Sequence, residues 1–207
     1  LTGRLPVRTG LTRPILAGDR VGKNPWADEI SLAALLSDSG YTTVLSGKWH
    51  VGETEGMRPH DVGFDEFYGF YPAQKELSQA FDKRRYPDLV LNPERLAALR
   101  AEGGSEALIH GWKGGKTEEV SKITCLDDVA DGDRKLKEFS IGKIKELAAW
   151  GKPFFLEHAF MKVHADNFPS KAFEGASTSK FPYKDSVVEV DTYIGEIVSA
   201  LEQACVL

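Results

Sequence analysis

The chain has 207 residues, and its 26 lysines and arginines against 31 aspartates and glutamates give a formal net charge of −5. Hydrophobic residues make up 42% and charged residues 28%, which is typical of a globular protein and excludes a disordered, collagen-like or coiled-coil chain. Its apolar runs are shorter than the roughly 18 residues that a membrane-spanning helix needs, and its net acidity argues against nucleic acid as the main partner. The chain begins with Leu1 and without a leader-like segment, so we expect that processing or truncation has removed its start.

The first 52 residues predict a loop, a helix and a strand, in that order. Glycine and proline recur about every four residues up to residue 26, which is typical of a loop. Residues 27–39 place apolar side chains at helical spacing, with two acids in the first turn and Gly40 at the end. The β-branched and aromatic residues of 41–45 predict a strand, and residues 46–52 predict the loop that leaves it.

The same order recurs after residue 132. An amphipathic helix is predicted around residues 136–148, with lysines 135, 137, 143 and 145 on its solvent side. The apolar run 154–160 predicts a second strand, followed by a loop to His164. A capping-box pattern at 186–189 predicts the start of a last helix, whose apolar stripe is Val187, Val190, Ile194, Ile197, Val198 and Leu201. Strands that alternate with helices predict an α/β fold with a mainly parallel sheet.

Residues 71–132 show little periodicity and are rich in charge, glycine and proline. We interpret them as an irregular insertion, with one short helix near Glu94–Glu102, between a first part at 1–70 and a last part at 133–207. Cys125 and Cys205 lie in no metal-binding motif, and no pattern supports a disulfide between them.

Reactive side chains follow both predicted strands, and in open α/β sheets ligands bind beyond the carboxyl ends of the strands. The first loop carries Lys48 and His50, and the second carries Lys162 and His164. Lysine supplies a point charge, and histidine supplies a hydrogen bond or a proton, so each pair can converge on one anion. The spacing therefore predicts chemistry on an anionic substrate, such as transfer of a phosphoryl or sulfuryl group.

Each of these residues also has a structural interpretation. The loop at 47–52, taken alone, is compatible with a turn whose tryptophan packs and whose lysine is solvated, and His164 alone with a structural histidine. His158 lies within a predicted strand, so we expect a hydrogen-bonded core histidine. We expect His60 and His110 at the surface of loops.

Several segments resemble those of the sulfatase family. Residues 40–52, GYTTVLSGKWHVG, match at every fixed position the second sulfatase signature, which is G-Y-x-T, three variable residues, G-K-W-H, an aliphatic residue and G. Residues 1–10 resemble the end of the first signature. Further resemblance to the family lies at residues 63–69, 152–164 and 183–201. The resemblance is weakest over 71–132.

The resemblance implies an alkaline-phosphatase-like α/β fold and hydrolysis of a sulfate ester by a formylglycine made from a cysteine or serine of the first signature. Lys48 corresponds to the lysine that binds the sulfate oxygens, and His50 to the histidine that hydrogen-bonds the formylglycine hydroxyl. His164 corresponds to the histidine near the sulfate and the leaving oxygen, although Lys162-Val163 replaces the commoner small residue and proline before it.

A divalent cation, usually calcium, is also implied, as are a sulfated small molecule or carbohydrate as substrate and export to the periplasm, a lysosome or the outside. We expect the nucleophile and the metal ligands outside these 207 residues, so we assign no metal ligand. The chain is then an interior part of a larger hydrolase domain, with its sheet incomplete at both ends, and we expect it to hydrolyse no aryl sulfate by itself.

Two other functions remain open from the sequence. One is hydrolysis of a phosphate or phosphonate ester by a member of the same superfamily, which the GKWH loop disfavours. The other is a non-catalytic protein that keeps the anion pocket but lacks the nucleophile. The sequence upstream of Leu1 would separate these possibilities.

Overall fold

The computed structural model describes residues 1–12, 24–71, 107–164 and 167–207. The strands are β1 (Thr42–Lys48), β2 (Glu66–Phe70), β3 (Ala107–Trp112), β4 (Thr117–Lys122) and β5 (Phe154–Ala159). The helices are α1 (Pro6–Thr9), α2 (Leu32–Asp38), α3 (Leu126–Ala130), α4 (Gly132–Trp150) and α5 (Pro182–Gln203), and short 3₁₀ turns lie at Pro59–Asp61 and Lys171–Phe173. No helix within these ranges is both long and apolar enough to cross a membrane.

The five strands form one sheet in the order β4-β3-β2-β1-β5. Its centre is parallel, because β1 pairs in parallel with both β2 and β5, and Leu45 lies opposite Phe67 and Glu157. β3 and β4 form an antiparallel hairpin at one edge. The predicted α/β fold with a mainly parallel sheet is therefore confirmed, and the carboxyl ends of β1, β2 and β5 lie along the same edge.

The sheet is packed on both faces. The apolar cluster on one face joins α2 and the loops around β1 to the sheet and consists of Trp26, Ala33, Leu45, Trp49, Met57, Phe64 and Phe67. The cluster on the other face joins α3 and α4 to the sheet and consists of Phe70, Leu108, Ile123, Val129, Leu136 and Met161. β1 is buried at five consecutive positions, whereas β5, at the edge of the described sheet, is partly buried throughout.

The first helix and strand have different bounds from those predicted. α2 begins at Leu32 because the hydroxyl of Ser31 accepts the amide N–H of Ala34 at 2.9 Å, so the two acids at 28 and 29 precede the helix. β1 extends through Lys48, whereas the sequence predicted a loop from residue 46. The extension is possible because its two neighbouring strands continue the pairing as far as Gly47 and Lys48.

Lys137 and Lys143 of α4 are more buried than predicted, whereas Lys145 is exposed, as predicted. Lys137 is 8% exposed, and its Nζ donates to Glu196 of α5 at 2.6 Å. Lys143 is partly buried and lies 2.8 Å from the carboxylate of Glu66 on β2. Amphipathic spacing placed these lysines towards solvent, but α5 and β2 provide carboxylates that hold them against the protein.

The start of α5 was predicted wrongly. It begins at Pro182 rather than near Ser186, and Asp185 in its first turn accepts the amide N–H groups of Gly175 and Ser177 at 2.9 and 2.8 Å. Its buried residues are Asp185, Ser186, Glu189, Tyr193 and Ala200, whereas Val187, Ile194 and Val198 of the predicted apolar stripe are exposed. The first two turns of this helix therefore bury polar side chains, and Tyr193 and Ala200 are buried further along.

The interpretation of 71–132 as irregular is wrong for its described part. Residues 107–130 form β3, β4 and α3, and the two strands are joined by a turn that contains Gly114 and Gly115, both with positive φ. The short helix predicted near Glu94–Glu102 lies outside the described residues. Cys125 and Cys205 are not paired in a disulfide.

Candidate active site

The first loop of the candidate site begins where β1 ends. Lys48 is the last residue of β1 and lies opposite Phe70. The next two amides continue along β2, because Trp49 N–H donates to the carbonyl of Phe70 at 2.9 Å and His50 N–H donates to that of Tyr71 at 2.7 Å. The backbone of Lys48, Trp49 and His50 is thereby fixed at the carboxyl edge of the sheet.

Glycines allow the parallel strands β1, β2 and β5 to approach closely at this edge. Gly47 has φ of 135°, and a Cβ there would lie 2.0 Å from the carbonyl oxygen of Ala159 on β5. A Cβ on Gly69 of β2 would lie 1.9 Å from the carbonyl oxygen of Gly47. Only glycine leaves room for the backbones of β1, β2 and β5 to approach this closely.

Trp49 anchors this loop in the core. Its indole is 6% exposed, lies 5.5 Å from the ring of Trp26, and donates from Nε1 to the carbonyl of Met57 at 2.9 Å. Lys48 and His50 on either side are only partly buried, and His50 has a positive φ of 55°. The loop therefore has the packed tryptophan of the structural interpretation, but it also presents a lysine and a histidine at the strand end.

The second loop follows β5. His164 is partly buried and closes a turn, since its amide N–H donates to the carbonyl of Met161 at 3.3 Å. Gly47 lies opposite Ala159, so β1 and β5 end at the same level. Of the three predicted site residues, Lys48 ends β1, and His50 and His164 lie in the loops that follow β1 and β5 at the same edge of the sheet.

Lys162 is not available to bind an anion beside His164. The prediction that these two side chains converge on one anion is therefore wrong. The side chain of Lys162 is 1% exposed, and its Nζ lies 2.9 Å from Glu189 and 3.9 Å from Asp133. It also donates to the carbonyl of Ala130. Two buried carboxylates, supplied by α4 and α5, hold this ammonium inside the protein.

Asp133 and Glu189 are the residues that sequence reasoning missed. Asp133 looks like an ordinary acid in the first turn of a helix, and Glu189 looks like part of a capping box. Burial raises the pKa of Asp133, an effect that the charge of Lys162 and the amide N–H groups of Met161 and Lys162 oppose. No local pattern identifies such a cluster, because Asp133 and Glu189 lie 29 and 27 residues from Lys162 on opposite sides of it in the sequence.

The remaining histidines have structural environments. His158 is a hydrogen-bonded core histidine, as predicted: its Nδ1 lies 2.7 Å from the hydroxyl of Ser140, and burial lowers its pKa to about 4. His110 and His60 are not surface residues of loops. His110 lies in β3 with Nε2 2.7 Å from Glu66, and His60 is buried over Gly111, so that burial lowers its pKa.

Comparisons with known proteins agree with this architecture. Arylsulfatase A of Bos taurus is 29% identical over 205 residues, which cover 97% of this chain and 37% of the relative. N-acetylgalactosamine-6-sulfatase of Canis lupus familiaris is 28% identical over 215 residues, which cover 98% of this chain and 36% of the relative. The crystal structure of PsFucS1 sulfatase from Pseudoalteromonas sp. matches with a TM-score of 0.90 at 45% identity, over 99% of this chain and 41% of that one.

The chain thus spans less than half the length of these similar proteins. The profile of the family described as Sulfatase matches residues 1–206, which is nearly the whole chain. On the strength of this match, the chain belongs to the sulfatase family.

Proposed function

We propose that this chain is part of an enzyme that hydrolyses sulfate esters, and that Lys48, His50 and His164 act on the sulfate group. The observation that carries the proposal is the strand register, in which Gly47 lies opposite Ala159 and both loops follow strands that end at one edge. Ligands of open α/β sheets bind at such an edge. Family membership supports the reaction class.

The three side chains have complementary roles in this proposal. Lys48 supplies a positive charge to the sulfate oxygens, where negative charge is held in the ground state and redistributed in the transition state. His164 donates a hydrogen bond to the ester oxygen, which leaves with a proton when its bond to sulfur breaks. His50 exchanges a proton with the nucleophile, as a histidine side chain can do near neutral pH.

The nucleophile is proposed to be a formylglycine outside these 207 residues, since residues 1–10 resemble only the end of the first signature. When present, it supplies a hydroxyl that attacks sulfur. No group of three or more His, Cys, Asp or Glu within the described ranges is arranged to hold a metal ion. These residues therefore do not fit the calcium that the resemblance implies, and no role proposed here involves it.

A sulfated carbohydrate is the substrate class that we propose. The support is the name of one relative, N-acetylgalactosamine-6-sulfatase, which specifies a sulfated sugar. Export from the cytoplasm, which the family resemblance implies, stays a prediction.

The function is tested in the complete sulfatase that contains this chain. We expect hydrolysis of 4-nitrophenyl sulfate and of a sulfated monosaccharide, and a loss of about 100-fold or more in kcat/KM on Lys48→Ala, as for loss of a group that stabilises charge in the transition state. Lys152→Ala, at an exposed lysine before β5, is the matched control and should leave the rate unchanged. Faster hydrolysis of 4-nitrophenyl phosphate than of the sulfate, or full activity of Lys48→Ala, would contradict the proposal.

The position of the nucleophile has a separate test. The purified 207-residue chain is expected to turn over no 4-nitrophenyl sulfate, because its three site residues then have no nucleophile to assist. Measurable turnover that disappears in the Lys48→Ala chain would show that the nucleophile lies within these residues.

A further inference from the structure

We propose that Lys162 is a positioning residue, which together with Asp133 and Glu189 fixes the turn that carries His164 rather than binding the sulfate itself. This inference rests on the proposed function, because it assumes that His164 acts on the ester. It concerns a cluster of three buried charged side chains: Asp133 at the start of α4, Lys162 after β5, and Glu189 within α5.

The cluster restrains the residues that come before His164 in the turn. The two carboxylate oxygens of Asp133 accept the amide N–H groups of Met161 and Lys162 at 2.8 and 3.0 Å. His164 N–H closes the same turn on the carbonyl of Met161. The side chain of Met161 also packs so closely on Gly132 that a Cβ there would lie 2.2 Å from the Met161 methyl group.

The cluster also holds the chain on the side that follows His164. One carboxylate oxygen of Glu189 accepts the ammonium of Lys162 at 2.9 Å, and the other accepts the amide N–H of Ser170 at 3.0 Å. Lys162 and Glu189 thereby connect the segments on both sides of His164 to α5. Moving either charged group would release restraints on the backbone that aims this histidine.

Lys162 is poorly suited to bind sulfate directly. Its side chain is 1% exposed and those of Asp133 and Glu189 are 0% exposed, so this one ammonium is the cation that lies against two buried carboxylates. To reach a substrate, the ammonium would have to leave two carboxylates buried without their cation, which is strongly unfavourable. The charge of Lys162 is therefore committed to the protein interior.

The first experiment measures kcat and KM for 4-nitrophenyl sulfate in the complete sulfatase. We expect Lys162→Met and Glu189→Gln each to lower kcat about 10- to 100-fold, as misplacement of a catalytic group by about 1 Å does, and to leave KM within about threefold. Lys145→Met, at an exposed lysine of α4, is the matched control and should change neither constant. A raised KM with unchanged kcat in Lys162→Met would identify Lys162 as a sulfate ligand and overturn the proposal, as would unchanged kcat in both variants.

The second experiment observes His164 directly. In protein labelled with ¹³C at histidine, the ring signals of His164 are assigned by their loss in His164→Gln. We expect Lys162→Met and Glu189→Gln to shift or broaden these signals and Lys145→Met to leave them in place. If a single variant does not fold, the double variant Lys162→Met/Glu189→Gln, which removes both partners of the pair, takes its place.

The two experiments separate failure of this inference from failure of the proposed function. A wild-type enzyme that hydrolyses no sulfate ester would refute the function, while the His164 signals would still decide whether the cluster positions the turn. Unchanged His164 signals in the folded double variant would overturn the inference even if the enzyme is an active sulfatase.

Discussion

The two loops of the candidate site lie at the same edge of one sheet but are held by different forces. The loop after β1 is fixed by close strand contacts at Gly47 and by the packing and hydrogen bond of Trp49, whose partner Met57 is eight residues away. The loop after β5 is fixed by buried charges on elements 27 to 29 residues from Lys162. The hydrogen bond that anchors the first loop is thus local in sequence, although the contact at Gly47 involves β5, whereas the second loop requires α4 and α5 to be in place.

The largest expected effect concerns the close contact between β1 and β5 at Gly47. Gly47→Ala would place a Cβ 2.0 Å from the backbone of Ala159, and we expect a loss of about 5 kcal/mol or more in the free energy of unfolding, which would leave little folded protein. Gly142→Ala is the control, since its Cβ would meet nothing within 4 Å inside α4, and it should stabilise by about 0.5–1 kcal/mol. Urea denaturation measures both, and a stable Gly47→Ala protein would show that β1 and β5 can separate at this edge.

The second largest expected effect concerns the buried charges that hold the loop after β5. Lys162→Met leaves the carboxylates of Glu189 and Asp133 buried without their cation, and we expect a loss of about 3–5 kcal/mol. The double variant Lys162→Met/Glu189→Gln should recover much of this loss, because both partners of the pair are then neutral. Lys145→Met should stay within about 0.5 kcal/mol of the wild type in the same urea titration. Equal losses in the single and double variants would remove the ion pair as the cause.

An effect of intermediate size concerns the pH dependence of stability that His158 in β5 provides. The pKa of His158 is about 4 in the folded protein against an ordinary 6.5, so the folded state binds fewer protons, and the contribution to stability is complete above pH 6.5 and declines as the pH falls towards 4. Between pH 7 and 5 this group should reduce the free energy of unfolding by about 2 kcal/mol. His158→Gln should flatten that dependence in urea titrations at the two pH values. An identical slope in wild type and variant would contradict the assignment.

The smallest expected effect concerns Trp49, which anchors the loop after β1. Trp49→Phe removes the N–H that donates to Met57, and we expect a loss of about 1–2 kcal/mol because a buried carbonyl loses its partner. Trp150→Phe is the matched control, since Trp150 is 55% exposed at the end of α4. Thermal unfolding of the two variants compares them. A larger loss in Trp150→Phe than in Trp49→Phe would show that the loop after β1 does not depend on this anchor.

The sequence predicted the site residues Lys48 and His50 better than it predicted the groups that hold Lys162 in place. The 40–52 segment identified Lys48 and His50 together with their strand, because the whole unit is contiguous in sequence. The pairing of Lys162 with His164 on one anion was wrong, because proximity in sequence cannot show that Asp133 and Glu189 surround the ammonium. The same limit applies to Lys137, whose carboxylate partner Glu196 lies on another helix.

The sequence by itself determined the α/β class, the strands β1 and β5, and membership of the sulfatase family, because each depends on short contiguous patterns of apolar residues and signature motifs. Only the tertiary structure decided that β3 and β4 extend the sheet, that α5 buries three polar side chains near its start, and that Lys162 belongs to the interior. The physical reason is that a charge or a strand edge is stabilised by whichever group lies against it, and that group is chosen by the packing of distant segments.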